Sequence, residues 1–204
     1  MARMTAEQRR EQLLDTTLEL ISREGFTGVS IDAVAKAAGI TRPIVYGHFH
    51  DLPGLLNALL DREHARALEQ LAAVLPKASD ERPLLEVIAD GLRGYLEAVA
   101  GAPLTWRLTL VPVEGTPGSL HERLARDRAD VRAQLAAALT AGLRREGVDP
   151  ELVDIDLVVH VAQGVSEHAA RLVLPDPDDY PVDRIMALAD QAAEVLAATV
   201  RTVA

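Results

Sequence analysis

Three groups of residues in this chain have types and spacings that could do chemistry. The first is the stretch from Ser30 to Phe49, where Ser30, Gly39, Thr41, Arg42, Tyr46 and His48 punctuate two short helical patterns. The second is the polar row His160, Gln163, Glu167, His168 and Arg171, set in an otherwise apolar run. The third is the acidic trio Asp176, Asp178 and Asp179 between prolines. That trio lacks the glycine and terminal glutamate of a calcium loop, so it reads as solvated carboxylates and no metal is expected. No His-Glu-x-x-His, phosphate-cradling glycine loop or Ser-His-Asp signature occurs, and cysteine is absent. No catalytic residue and no cofactor is therefore expected, and the chain does not read as an enzyme.

The first group has the layout of two short helices joined by a tight turn at Gly39-Ile40. Ser30 is a good N-cap for a helix whose inner face is Ile31, Val34, Ala35 and Ala38. Thr41 can cap the next, which carries Val45 and Phe49 inward. Pro43 falls in its first turn, where no N–H is needed. Arg42 precedes that proline and is pushed away from the helical region, so the pattern predicts a helix beginning one residue late. In such a pair the first helix braces the second, and the second offers its N-terminal residues to base edges in the major groove. Many helical proteins contain this spacing, so alone it does not establish DNA binding.

The surrounding elements also read as helices. Leu13, Leu14, Thr17, Leu18 and Ile21 form an apolar stripe ended by Gly25. A long helix is predicted from about Asp51 to Leu75, then a proline-bounded joint at 76–83. Further helices are predicted near 83–100, 103–111, 119–146, 150–174 and 181–203, with no strand-like alternation and no internal repeat. Hydrophobic residues make up 49% of the 204 and aromatics only 3%, a composition that favours packed helices over sheets. The expected fold is all-α, about nine helices, in three parts: 1–50 with the helix pair, 51–82 as linker helix and joint, and 83–204 as a helical body. No apolar run is long enough to span a bilayer, and the first residues lack a signal peptide's apolar stretch. A cytoplasmic location without membrane contact is expected.

The net charge of −10 is unevenly distributed. Residues 1–50 hold six cations and six anions, so the whole excess of negative charge lies beyond them. Screening over about 8 Å lets a locally neutral face approach phosphate despite a distant acidic body. The balance argues only against a general nucleic-acid coat protein, which needs a broad basic surface.

Read together, 14–20 (Leu-Asp-Thr-Thr-Leu-Glu-Leu), Glu24-Gly25-Phe26, 30–35 (Ser-Ile-Asp-Ala-Val-Ala), Ala38-Gly39-Ile40-Thr41 and Tyr46-Gly47-His48-Phe49 closely resemble the TetR family of regulators. The resemblance covers about residues 9–60 and is only architectural beyond. It implies a three-helix DNA-binding head, a linking fourth helix, and five helices for ligand binding and dimerisation. It also implies roles at matching positions. Thr41 and Arg42 would open the recognition helix, with the Arg42 fork suited to the two acceptors of a guanine edge. Ile44 and Val45 match positions of packing and methyl contact, Tyr46 and His48 match phosphate-holding positions, and Ser30 matches a phosphate-touching cap. Two residues depart from the pattern: Leu52 stands where the family has a lysine opening the fourth helix, and Pro43 replaces a common glycine.

For the body, Tyr95, Trp106 and Leu110 are candidates to line an apolar effector cavity, with His168 a polar candidate. The polar row on the eighth helix could point into a pocket, but a place in a dimer interface or facing solvent is the favoured reading. Stripes Ile155, Val158, Val159, Ala162 and Ile185, Leu188, Ala192, Leu196 suit a homodimer through the last two helices. The expected function is a DNA-binding transcriptional regulator, a repressor released from a palindromic double-stranded operator by a hydrophobic small-molecule effector. A transcriptional activator or ligand-independent regulator fits the same residues. A helical small-molecule binding protein or enzyme with a vestigial DNA head is the reading from another class.

Overall fold

The computed structural model describes residues 4–111, 118–175 and 177–203, with side chains omitted at 118–123 and 195–203. Arg3, the break at 112–117, Asp176 and the Leu196 side chain lie outside the described residues. Nine α-helices and no strand are found among the described residues, so the all-α expectation holds. The chain divides into two compact units, Met1–Ala67 and Leu68–Ala204.

In the first unit, α1 (Ala6–Glu24) starts with a capping box: the Thr5 side chain accepts from Gln8 N, and the Gln8 side chain accepts from Thr5 N. These two bonds satisfy amide groups that a helix start otherwise leaves unpaired. Gly25, at φ 71°, ends the helix in the left-handed region that favours glycine. Helix α2 (Ile31–Ala37) is capped by the Ser30 side chain, which accepts from Ala33 N at 3.1 Å. Gly39, at φ 66°, makes the turn into α3 (Arg42–Phe49). That helix starts at Arg42, not one residue later as the pattern predicts. The pre-proline clash disfavours a helical Arg42 without forbidding it, and the first turn closes through Ile44 N donating to Thr41 O at 3.0 Å. Thr41 occupies the N-cap position without a side-chain hydrogen bond.

Helix α4 (Leu52–Val74) runs into the second unit. Leu13, Val34, Val45, Leu55 and Leu59 are sealed in the first unit's core. Burying each such side chain contributes about 1.5–3 kcal/mol. One charged group is sealed with them: Glu63 is fully buried, held by Arg62 Nη2 at 2.8 Å and Arg66 Nη1 at 3.0 Å. Arg62 also reaches Glu11 (2.9 Å) and Asp15 (2.8 Å) on α1. Burial opposes the charge on Arg62, but hydrogen bonding to Glu11 and the Glu63 and Asp15 carboxylates outweigh it and raise its pKa.

In the second unit, α5 (Leu84–Gly101) packs on α6 (Pro103–Leu110), α7 (Gly118–Arg145), α8 (Ile155–Val173) and α9 (Val182–Val203). Pro83 gives α5 no side-chain cap, and the residue that follows α7 supplies one: Glu146 Oε1 accepts from Leu84 N at 2.8 Å. Gly142 permits that approach, since a Cβ there would lie 2.5 Å from Leu84 Cδ1. Helix α8 begins at Ile155, not near 150. Asp149 caps a short 3₁₀ turn (Pro150–Leu152) and Asp154 separately caps α8, splitting the predicted helix. At the joint, Arg82 hydrogen-bonds Asp80 and holds its carboxyl down from 3.8 to about 2. A depressed carboxylate stabilises fully above its unfolded pKa, so this contribution fades only as pH falls from about 4 through 2.

Removing Arg62 takes away one of the two guanidinium groups on the buried Glu63 and leaves Arg66, so the cost falls toward the lower end of the about 3–5 kcal/mol of breaking such a pair. Arg62→Ala is expected to destabilise the protein by that order in urea unfolding followed by circular dichroism. Glu11→Gln, at a half-exposed site, should cost under about 1 kcal/mol.

Candidate nucleic-acid interface

Helix α3 is two-sided. Val45 and Phe49 are buried while Thr41, Arg42, Pro43, Ile44 and Tyr46 are exposed. Arg42 and Tyr46, four apart, lie on one face, whereas Ile44, two from each, projects from the other side of the helix. Of the expected DNA-contact residues on α3, Thr41, Arg42, Pro43, Ile44 and Tyr46 are exposed, while Val45 only packs. Ser30 is exposed at the start of α2 and engaged in its cap. His48 is half-buried; its carbonyl accepts from Arg10 Nη1 at 3.4 Å, and the Arg10 guanidinium lies 4.6 Å over the Phe49 ring. Arg10 is thus anchored against α3 by stacking, a role its sequence context did not reveal.

Two features bear on how this surface can meet an anion. Arg42 Nε is ion-paired with Asp32 Oδ1 of α2, so its guanidinium must exchange that carboxylate for any base edge. At the opening of α4, Leu52 is half-buried, and Asp51 Oδ1 accepts from Gly54 N at 2.7 Å. A carboxylate of this chain occupies the helix start where the resemblance implies a lysine and a phosphate. Beside it, Arg10, Gly47, His48, Phe49, His50 and Gly54 line a shallow hollow. His50 has φ 66°, the only positive φ outside glycine among the described residues, and closes α3 by donating its N–H to Tyr46 O.

In the second unit the effector candidates separate. Tyr95 and Trp106 meet edge to face at 5.2 Å, and Trp106 Nε1 donates to Gln70 Oε1 at 2.8 Å. Leu110 is buried one turn beyond Trp106, whereas His168 is exposed and does not join them. Charged residues not singled out for this site stand nearby. Glu167 Oε1 accepts from Arg128 Nε at 3.1 Å and from Gln163 Nε2 at 3.3 Å. Arg171 Nη1 lies 3.7 Å from Glu167 Oε2. Burial and then the Glu167 charge push the Tyr95 hydroxyl's pKa upward, with Arg171 and Arg128 opposing, so it is neutral. Tyr95 is 8% exposed.

Residues 13–59 match the model of the bacterial regulatory proteins of the tetR family. The HTH-type transcriptional regulator BetI of Klebsiella pneumoniae (strain 342) is 27% identical over 190 residues, covering 83% of this chain and 95% of the relative. A TetR-like transcriptional regulator from Rhodococcus sp. RHA1 shares the fold with TM-score 0.65 at 23% identity, over 94% of this chain and 99% of that one. The fold is also shared with the transcriptional regulator FadR from Bacillus subtilis in complex with stearoyl-CoA, at TM-score 0.65 and 18% identity, over 91% and 96%. A helix-turn-helix head joined to a separate helical unit defines a DNA-binding transcriptional regulator. Residues 13–59 are those of a tetR-family head, and along most of its length the chain is similar to regulators of this kind.

Arg42→Ala is expected to weaken binding to a specific site by about 1–3 kcal/mol and relax base preference at one position per half-site, read by fluorescence anisotropy against single-base variants. Asp32→Asn frees the same guanidinium; an exposed pair is worth about 0.2–1 kcal/mol, so affinity should rise by roughly 1.5- to 5-fold.

Proposed function

We propose that this regulator is a cytoplasmic repressor that binds a palindromic operator as a homodimer and leaves it when a small apolar effector enters the second unit. The observation that carries the DNA half is the exposure of Arg42 and Tyr46 on one face of α3, with Ile44 also exposed, while Val45 and Phe49 are sealed. Two copies of α3 in successive major grooves require about 34–36 Å between half-site centres. An effector that favours a different separation of the two heads lowers operator affinity, with a coupling of order 1–3 kcal/mol.

The dimer is supported by the outer face of α8. Leu157, Val158, Val161 and Val165 are all exposed there, as is Leu188 on α9. Contiguous exposed aliphatics of this kind mark an association surface. Gly164 lies on the same helix, and a Cβ there would meet nothing within 4 Å in the single chain, leaving room for a close partner helix. The effector half is supported by the buried Tyr95–Trp106 pair, an apolar setting with few polar groups. The fold neighbour bound to stearoyl-CoA favours an effector with a long apolar part.

In vitro transcription from the chain's own upstream DNA tests the repressor reading. Added protein should reduce the transcript, and a rise would assign it as an activator. Val161→Arg places a charge in the α8 face and is expected to shift sedimentation from dimer to monomer, with operator affinity falling at least tenfold. A dimer unchanged by this substitution places the interface elsewhere.

A further inference from the structure

The hollow between α1 and the end of α3 holds a positive charge that the first unit leaves unpaired. Its walls are Arg10 of α1, Gly47, His48 and Phe49 of α3, His50 of the turn, and Gly54 of α4. The half-buried Arg10 guanidinium is fixed there, 4.6 Å over the Phe49 ring, with Nη1 donating to His48 O at 3.4 Å. A guanidinium has five N–H donors. Among the described residues Arg10 makes no other hydrogen bond and has no carboxylate in ion-pair reach. In the same unit Arg42 pairs with Asp32, and Arg62 and Arg66 pair with Glu63.

The end of a helix is a poor place for an anion while its carbonyls are unpaired. Here they are occupied: His48 O accepts from Arg10, Tyr46 O from His50 N at 3.0 Å, and Phe49 O from Asp51 N at 2.7 Å. No carboxylate lines the hollow, and the adjacent Asp51 uses Oδ1 to accept from Gly54 N. His50 is exposed, and its φ of 66° sets it on the wall opposite α1. The exposed Tyr46 directly precedes Gly47, so a duplex lying along the Arg42–Tyr46 face reaches this edge.

We propose that the hollow seats one DNA backbone phosphate, with the Arg10 guanidinium as its anchor and the His50 imidazole as a second donor. This rests on the DNA-binding reading above and adds a contact supplied from α1. A phosphodiester is an anion whose oxygens match the planar guanidinium fork. Every sequence carries the same phosphate, so the contact adds affinity and position but no base preference.

The test uses the full-length protein and a duplex from its own upstream DNA, with each backbone phosphate in turn replaced by a neutral methylphosphonate. Binding is read by fluorescence anisotropy over a salt series. In the wild-type protein, neutralising one phosphate per half-site is expected to weaken binding about 3- to 10-fold. Arg10→Gln should lose the same factor on unmodified DNA and nothing further at that phosphate. Its log–log salt slope should fall by about 0.9 for each hollow engaged, with preference among single-base variants unchanged. His50→Gly relieves the positive φ and so stays folded. It is expected to lose about 2- to 5-fold at about pH 6 and less at about pH 8, where imidazole is neutral.

An Arg10→Gln protein with the wild-type salt slope, or with wild-type sensitivity at every neutralised phosphate, overturns the proposal and leaves Arg10 as packing on Phe49. Unchanged affinity of His50→Gly at both pH values removes the imidazole from the contact. Competition by inorganic phosphate at constant ionic strength, with no sensitive backbone position, overturns the backbone assignment in favour of a free anion. A wild-type protein that binds no duplex even at low salt refutes the DNA-binding reading itself.

Discussion

The first unit depends on α3 being held by its back. Val45 and Phe49, one turn apart, are buried with Val34, Leu13 and Leu55, and Arg10 stacks on the Phe49 ring. Because a helix has one angular setting once two residues four apart are buried, this packing alone decides what faces outward. Arg42, Ile44 and Tyr46 are exposed as a consequence of where Val45 and Phe49 are buried. The turn before α3 needs Gly39 at positive φ, and the turn after it brings Gly54 so near Phe49 O that a Cβ would sit 2.3 Å away. Both ends of the reading helix are therefore fixed by backbone constraints as well as by its core face.

Electrostatics in this head are arranged locally, which explains how an acidic protein can serve DNA. The buried Glu63 is neutralised within its own helix by Arg62 and Arg66, and Arg62 extends the network to α1. Those charges are used for structure and are not available to phosphate. On the outward side, Asp32 pairs with Arg42 and Asp51 caps α4. The outward surface of α3 is consequently self-compensated in the unbound chain, and under the proposed DNA-binding reading Arg42 exchanges Asp32 for a nucleic-acid partner. Such exchange favours specificity over raw affinity, because a wrong sequence offers Arg42 nothing better than Asp32.

The helical architecture was legible because its signals are local. The apolar stripe from Leu13, the cap at Ser30, Gly25 and Gly39 at turns, and prolines at breaks each act within a few residues. Two boundaries were misjudged for equally local reasons, the α3 start at Arg42 and the split before α8, where competing caps decide within one turn. What sequence could not reveal were pairings between distant segments: Arg62 with Glu11 and Asp15, Arg10 over Phe49, Arg42 with Asp32, and Arg128 with Glu167. Charged residues at regular helical spacing look alike whether they face solvent or a partner. Tyr95 and Trp106 were recognisable as scarce aromatics, but only the fold puts them edge to face.

The central claim is that the exposed residues of α3 recognise particular DNA. The most direct measurement is a salt series of binding by the full-length protein to its own upstream DNA and to random DNA of equal length. The account predicts at least about 10³-fold tighter binding to the upstream fragment at physiological salt, with both affinities falling linearly in log–log form at about 0.9 per phosphate contacted. Equal affinity for the two DNAs across the series, or no binding even at low salt, would contradict it.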